Sequence, residues 1–202
     1  MLDDTDYDVL NVVALKKMAA ASAVAETTGL SESDVNDAFE RLVGQGHVMV
    51  AAGSALPTDS AEPALAETAA ERYAAVRTDD EIAGLVERFE TVNTQFLGAM
   101  SSWQQIEVGG KKVTNDHSDP DYDEKVIAKL DKLVARLTPL LDALSTHDPR
   151  FAGYPRRFAA TQKAVDEGRH ELVSSPTADS LHNIWFEFHE DLLRTLGRER
   201  TE

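Results

Sequence analysis

The sequence predicts a mainly α-helical protein, in which three short helices and a β-hairpin are followed by an antiparallel four-helix bundle. Apolar residues recur at helical spacing through most of the chain. Glycines separate the second predicted helix from the third, and the third from two short apolar strands. A change in composition near residue 78 divides the 202 residues into predicted domains 1–77 and 78–202.

Composition argues against several kinds of site. The chain has no cysteine, which excludes disulfides, thiolate metal sites and cysteine nucleophiles. It carries 20 basic and 36 acidic residues, a net charge of −16, which disfavours nucleic acid and anionic lipid as partners. No apolar run is long enough to span a membrane, and the acidic N-terminus is unlike a signal peptide. We therefore expect a cytoplasmic protein that contacts no membrane and needs no cofactor or metal.

The N-terminal domain is predicted from helix signals and turn residues. The first helix runs from Tyr7 to Lys17, and the second covers residues 19–27. Gly29 suits a left-handed turn and Ser31 suits the N-cap of the third helix, whose apolar face ends before Gly44. Short strands at 48–50 and 55–56 complete a winged helix-turn-helix.

Two stretches of this domain, 24–31 and 42–48, resemble the MarR-like winged-helix family over about a third of the chain. The resemblance implies that the third helix enters the major groove of DNA. The residues of that helix placed to contact DNA or another partner are Ser33, Asn36, Asp37 and Arg41.

The third helix departs from that family in its charge. Four carboxylates accompany its single arginine, and they would repel a phosphate backbone. We therefore expect this helix to contact a protein. The alternative is a ligand-responsive DNA-binding regulator, which would act as a homodimer. Its phosphate contacts would be Lys16, Lys17, Arg41, Lys111 and Lys112.

The C-terminal domain is predicted as four helices. The first of these helices starts with a capping box at Thr78 and ends near Trp103. A polar loop over 111–120 follows it. The second starts near Asp121 and is interrupted at Pro139, and the third covers 155–166. The last starts at 175–176 and ends at Gly197. Connections of this length favour an antiparallel bundle.

The last helix suggests a ligand pocket. His182 and His189 lie two turns apart, about 10 Å along the axis, which is too far for both to bind one metal ion. One interpretation makes them core histidines bonded to a neighbouring helix. The other places a small anionic or aromatic ligand in a pocket. The residues of that pocket would be Trp103, Gln104, His182, Trp185 and His189.

Three charged clusters have competing interpretations. The carboxylates of 119–123 resemble the start of a calcium loop, but the later ligand positions are wrong, and a helix N-terminus explains them. A basic stripe on the second long helix would either bind an acidic partner or form a solvated face. Its residues are Lys125, Lys129, Lys132 and Arg136. Arg156 and Arg157, with Arg150 and Tyr154, could hold a phosphate, although no glycine-rich loop accompanies them.

Two further segments, 115–119 and 185–197, are similar to a helical module that accompanies actinobacterial phosphoenolpyruvate-utilising phosphotransferases of the pyruvate phosphate dikinase type. The resemblance implies an accessory or regulatory partner, because the catalytic parts of those enzymes are missing from this sequence. The sequence also lacks a G-x-S-x-G motif. We therefore predict a non-catalytic accessory protein, and keep as a third hypothesis an enzyme with a metal near His117 and His189.

Overall fold

The computed structural model describes residues 1–198 and confirms a mainly helical protein. Its contacts group the chain into two compact units. The first unit comprises residues 1–79, 147–153 and the chain from Trp185, and the second comprises 80–146 and 154–184. Among the described residues, no helix combines the length and apolar character needed to cross a bilayer. The last four residues of the predicted segment 78–202 lie outside the described part.

The first unit begins with three helices and a small sheet. Their bounds are α1 Asp4–Lys16, β1 Ala19–Ala20, α2 Ala21–Thr28, α3 Glu32–Gly44, β2 Val48–Ala51 and β3 Ser54–Pro57. The sheet is antiparallel with the order β1-β3-β2, and Val50 faces Ala55 across the hairpin. Gly29 ends α2 with a positive φ of 80°, and the Ser31 hydroxyl accepts the backbone N–H of Asp34 at 3.1 Å. Both local predictions are confirmed.

Two helices of the first unit were not predicted. They are α4 Ala61–Arg72 and α5 Ala74–Arg77, between the predicted strands of the first domain and the first predicted helix of the second. Alanine is a strong helix former, but it gives little contrast between the two faces of a helix. Leu65, Ala69 and Tyr73 nevertheless supply a fully or almost fully buried face.

The second unit contains long helices and a second hairpin. Its elements are α6 Asp80–Gln104, β4 Gln105–Val108, β5 Lys111–Thr114, α7 Pro120–Ala135, α8 Thr138–His147 and α9 Gly153–Asp166, of which His147 and Gly153 belong to the first unit. The expected polar loop at 111–120 is wrong in its first part. Gly109 and Gly110 both have positive φ, so they form a tight turn that pairs Ile106 with Val113.

Several predicted helix boundaries can be compared with the structure. Pro139 starts a new helix as expected, because α8 begins at Thr138. The Thr78 cap is wrong, since its hydroxyl donates to the carbonyls of Ala74 and Ala75. The start of the last helix, α10 Leu181–Leu196, is also wrong. Ser180 accepts the N–H of Asn183, so the helix starts five residues beyond the predicted one.

Candidate functional site

The outward face of α3 is exposed and acidic. Val35, Ala38, Phe39 and Leu42 form the buried face of this helix, and its other side chains are exposed. The exposed side chains include Glu32, Ser33, Asp34, Asn36, Asp37 and Glu40. The Asn36 amide turns back to the Glu32 carbonyl at 2.8 Å, which leaves the carboxylates as the main chemistry of this surface.

The cations nearest to this face are held by acids of the same unit. Arg41 donates to Asp6 through Nε at 3.0 Å and Nη2 at 2.7 Å, and Asp6 is 2% exposed. Lys16 lies 3.0 Å from Glu187. Two of the five cations expected to contact phosphate are therefore engaged within the protein. Lys111 and Lys112 lie on β5 of the second unit.

The predicted basic stripe lies on the surface of α7 and at its C-cap. Lys125, Lys129 and Lys132 are exposed, and Arg136 donates to the side chain of Gln95. The contacts within the second unit thus leave the three lysines in solvent, where they suit either interpretation of the stripe.

The predicted pocket residues lie in different surroundings. Trp103 is buried at the end of α6, and Gln104 beside it is exposed. His182 is half-buried in the second unit, where burial lowers the pKa of its imidazole. Trp185 is buried and His189 half-buried in the part of α10 that belongs to the first unit. The five-residue pocket stays a prediction.

His117, which the sequence suggested only as part of a metal site, forms a cluster with Trp103, Asn115 and Asp123. The His117 ring lies against the indole with centroids 4.4 Å apart and a tilt of 38° between the rings, and its Nδ1 lies 2.9 Å from Oδ2 of Asp123. Oδ1 of Asp123 accepts the Asn115 amide at 2.9 Å, and that amide also donates to the Trp103 carbonyl. Asp123 and Asn115 are both buried, so the side chains that hold the histidine ring are themselves held in place by the surrounding protein.

This cluster borders a cleft of about 600 Å³ in the second unit. Its lining includes Pro120, Glu124, His170, Glu171, Ser174 and Pro176. Because Nδ1 of His117 faces the Asp123 carboxylate, Nε2 is the ring nitrogen that remains for a bound molecule. No group of three histidine or carboxylate side chains with metal-binding geometry occurs within residues 1–198.

The sequence contained part of the signal for this cluster. The acidic run was attributed to a helix N-terminus, and Asp119 does cap α7 by accepting the Tyr122 N–H at 3.1 Å. Asp123 has a different role, because it lies one turn into the helix and pairs with His117. That pairing depends on a left-handed His117 backbone, with φ of 57°, which no residue pattern indicates.

The arginines considered for phosphate binding are paired with acids. Arg157 donates to Asp179 through Nε at 2.8 Å and Nη2 at 3.1 Å in the second unit. Arg150 belongs to the first unit, where it forms an ion pair with the fully buried Asp191. Arg150 and Arg157 thus each form an ion pair with an acid of their own unit.

Three surfaces can therefore carry a function: the acidic face of α3, the basic stripe of α7 and the cleft beside His117. The first belongs to the first unit, and the other two belong to the second. No protein-family model matches this chain, and searches of curated proteins and of solved structures give no significant match.

Proposed function

We propose that this chain is a non-catalytic accessory or regulatory protein whose N-terminal winged helix contacts another protein. The observation that carries the proposal is the exposed carboxylate face of α3, whose one arginine is bound to the buried Asp6. A recognition helix that binds DNA needs cations or amides at these positions. This helix presents the opposite charge.

The charge of the whole chain supports the same choice of partner. A net charge of −16 attracts a basic protein surface at long range and slows the approach to a polyanion. Asp37 and Glu40 are exposed near the middle of α3, so a partner would reach them without any rearrangement of this unit. The complex should therefore weaken as salt screens the attraction.

The helical second unit would supply a ligand or partner site. Its cleft combines a histidine ring held by Asp123 with an aromatic side chain, a mixture typical of small-molecule pockets. The resemblance of residues 115–119 and 185–197 suggests a phosphoenolpyruvate-utilising phosphotransferase as the partner. In this proposal the phosphotransferase carries the chemistry and this chain regulates it.

The test compares two doubly neutralised variants of the full chain. Asp37→Asn with Glu40→Gln removes two charges from α3, and the control Glu87→Gln with Glu90→Gln removes two exposed charges from α6. Each tagged protein is used to capture partners from native lysate, followed by quantitative mass spectrometry. We expect one protein to be captured by the wild type and the control but reduced at least fivefold with the α3 variant.

The identity of that protein decides the second part of the proposal. Recovery of a phosphotransferase, whose turnover changes when this chain is added, supports the accessory role. If the two variants capture the same proteins in the same amounts, α3 is not the contact surface and the proposal fails.

One observation favours a DNA-binding regulator as the second candidate. The order of α1, α2, α3 and the three-stranded β1-β3-β2 sheet supports a winged-helix interpretation, in which α3 would be the reading helix. A mobility-shift titration at low salt separates the two functions. Sequence-specific binding with a steep salt dependence, lost on Arg41→Gln, would favour the DNA-binding regulator.

A further inference from the structure

A second cavity, in the first unit, has the opposite electrostatic character to the rest of this acidic chain. It encloses about 700 Å³ and is lined by four cations and two acids. The cations are Lys17, Arg77, Arg194 and Arg198, and the acids are Glu62 and Glu190. These charges give the lining a net positive charge on a protein whose overall charge is −16.

The remaining lining is mainly apolar. Leu15 and Leu193 are almost fully buried, whereas Phe186 is 41% exposed. Large apolar side chains left accessible at a cavity often mark a binding surface. A volume near 700 Å³ lies in the range of cavities that hold one small organic molecule.

Two of the cations are fixed in place by the protein. Arg77 donates through Nε to the Thr195 carbonyl at 2.9 Å, at the end of α10. Gly197 makes this possible, because a Cβ at that position would lie 2.9 Å from the Arg77 Cζ. Arg194 donates to both carboxylate oxygens of Glu62 at 2.9 Å. These two guanidinium groups therefore form a fixed part of the cavity wall.

The other two cations are not engaged in this way. Within the described residues, the side chains of Lys17 and Arg198 form neither a hydrogen bond nor an ion pair. Lys17 has a left-handed backbone, with φ of 64°, which is uncommon outside glycine and places it at the C-cap of α1. Both side chains are exposed, so they can close on a negatively charged group.

We propose that this cavity binds an amphiphilic monocarboxylate, with its hydrocarbon body against Phe186 and Leu193 and its carboxylate near Lys17 and Arg198. Cations line this cavity together with apolar side chains, so a neutral hydrocarbon would leave the charged part of the lining without a partner. An anion without an apolar body would leave Phe186 in water. The site is independent of the acidic α3 face and of the cleft beside His117.

The test uses decanoate and decanol, which share a hydrocarbon chain and differ in charge. Isothermal titration calorimetry on the full chain, below the micelle concentration, measures both dissociation constants. We expect decanoate to bind at least tenfold more tightly than decanol at low salt, and to lose most of that advantage at high salt. Equal affinities, or no binding of decanoate, would overturn the proposal.

Variants locate the binding within the molecule. Lys17→Gln with Arg198→Gln should weaken decanoate at least fivefold and leave decanol unchanged, whereas Phe186→Ala should weaken both ligands. The matched control is Lys125→Gln with Lys129→Gln, which removes two exposed charges from α7 and should change neither affinity. Circular dichroism confirms that each variant is folded. A loss of decanoate binding in the control equal to that in the cavity variant would show general charge attraction and refute the site.

Discussion

The acidic side chains of the first unit fall into two groups that differ in what surrounds them. Asp148 and Asp191 are buried among arginines, and Asp8 is largely buried beside one. The carboxylates of α3 are exposed, and Arg41, the one cation of their helix, is bound to Asp6. The arginines of this unit therefore neutralise mostly interior acids. The excess negative charge counted in the sequence lies on the surface, where a partner can meet it.

The interior group is a connected network. Arg150 pairs with Asp191 and also donates to the Tyr73 hydroxyl at 2.7 Å. That hydroxyl donates to Asp148 at 2.7 Å, and Arg72 Nη2 lies 2.7 Å from the same carboxylate. Buried charges of this kind are costly unless each one keeps its partner. We therefore expect substitutions in the interior network to change the free energy of unfolding strongly, and substitutions on the α3 surface to change it little.

Arg150→Met should have the largest effect. It leaves the fully buried Asp191 without its cation, and breaking such a pair costs about 3–5 kcal/mol in free energy of unfolding. Urea denaturation followed by circular dichroism measures the loss. Lys163→Met is the control, because that side chain is 77% exposed and should change stability by less than about 0.5 kcal/mol. Similar losses in both variants would remove the distinction between interior and surface charges.

Asp8 should give the next largest effect, through pH. Burial raises the pKa of its carboxyl to about 6, against the favourable charges of Arg72 and Arg150, while Asp148 acts in the same direction as burial. A raised acid pKa means that the folded protein binds the proton more tightly than the unfolded chain does. The free energy of unfolding should therefore fall by about 2–3 kcal/mol as pH rises from about 4 to about 6.

The Asp8→Asn variant isolates this contribution. It cannot ionise at position 8, so its stability should change less over that pH range than that of the wild type. The pKa of Asp148 is below its ordinary value despite burial, because the Tyr73 hydroxyl and Arg150 stabilise its charge. Its contribution is therefore lost only at lower pH. Identical pH profiles for wild type and variant would show that Asp8 is not the titrating group.

Two buried tyrosines, Tyr73 of the network and Tyr7, are expected to show smaller changes in stability. The Tyr73 hydroxyl has two partners, whereas the buried Tyr7 hydroxyl has none among the described residues, and burial raises the pKa of Tyr7 to about 12. Tyr73→Phe should cost about 1–3 kcal/mol. Tyr7→Phe should be neutral or stabilising, because it removes an unsatisfied polar group. The same denaturation measurement tests both, and the reverse order would contradict the network described here.

Local signals in the sequence account for part of the fold. Ser31, Gly29, Pro139 and Gly197 each act through the backbone of their own turn, so their roles could be predicted from neighbouring residues. The alanine-rich α4 was missed because alanine marks neither face of a helix. The hairpin at 105–114 was missed because residues 111–114 were assigned to the polar loop after the first long helix.

The site residues were harder to predict for a physical reason. The acidic face of α3 follows from helical spacing and was expected from Asp37 and its neighbours. Tyr73 with Asp148, and Asn11 with Asp191, are contacts between residues 75 and 180 positions apart, which no local pattern reveals. His117 and Asp123 are only six residues apart, yet their pairing depends on a backbone conformation that residue type alone does not specify.

Neutralising the α3 surface should have the smallest effect on folding. Asp37→Asn with Glu40→Gln removes two exposed charges outside the first turn of the helix, so neither a cap nor the helix dipole is affected. The pair should change the free energy of unfolding by less than about 0.5 kcal/mol. Urea denaturation at low and high salt checks this. A loss above about 2 kcal/mol would mean that these acids maintain the fold. With stability unchanged, any loss of partner capture by this variant reports on the contact itself.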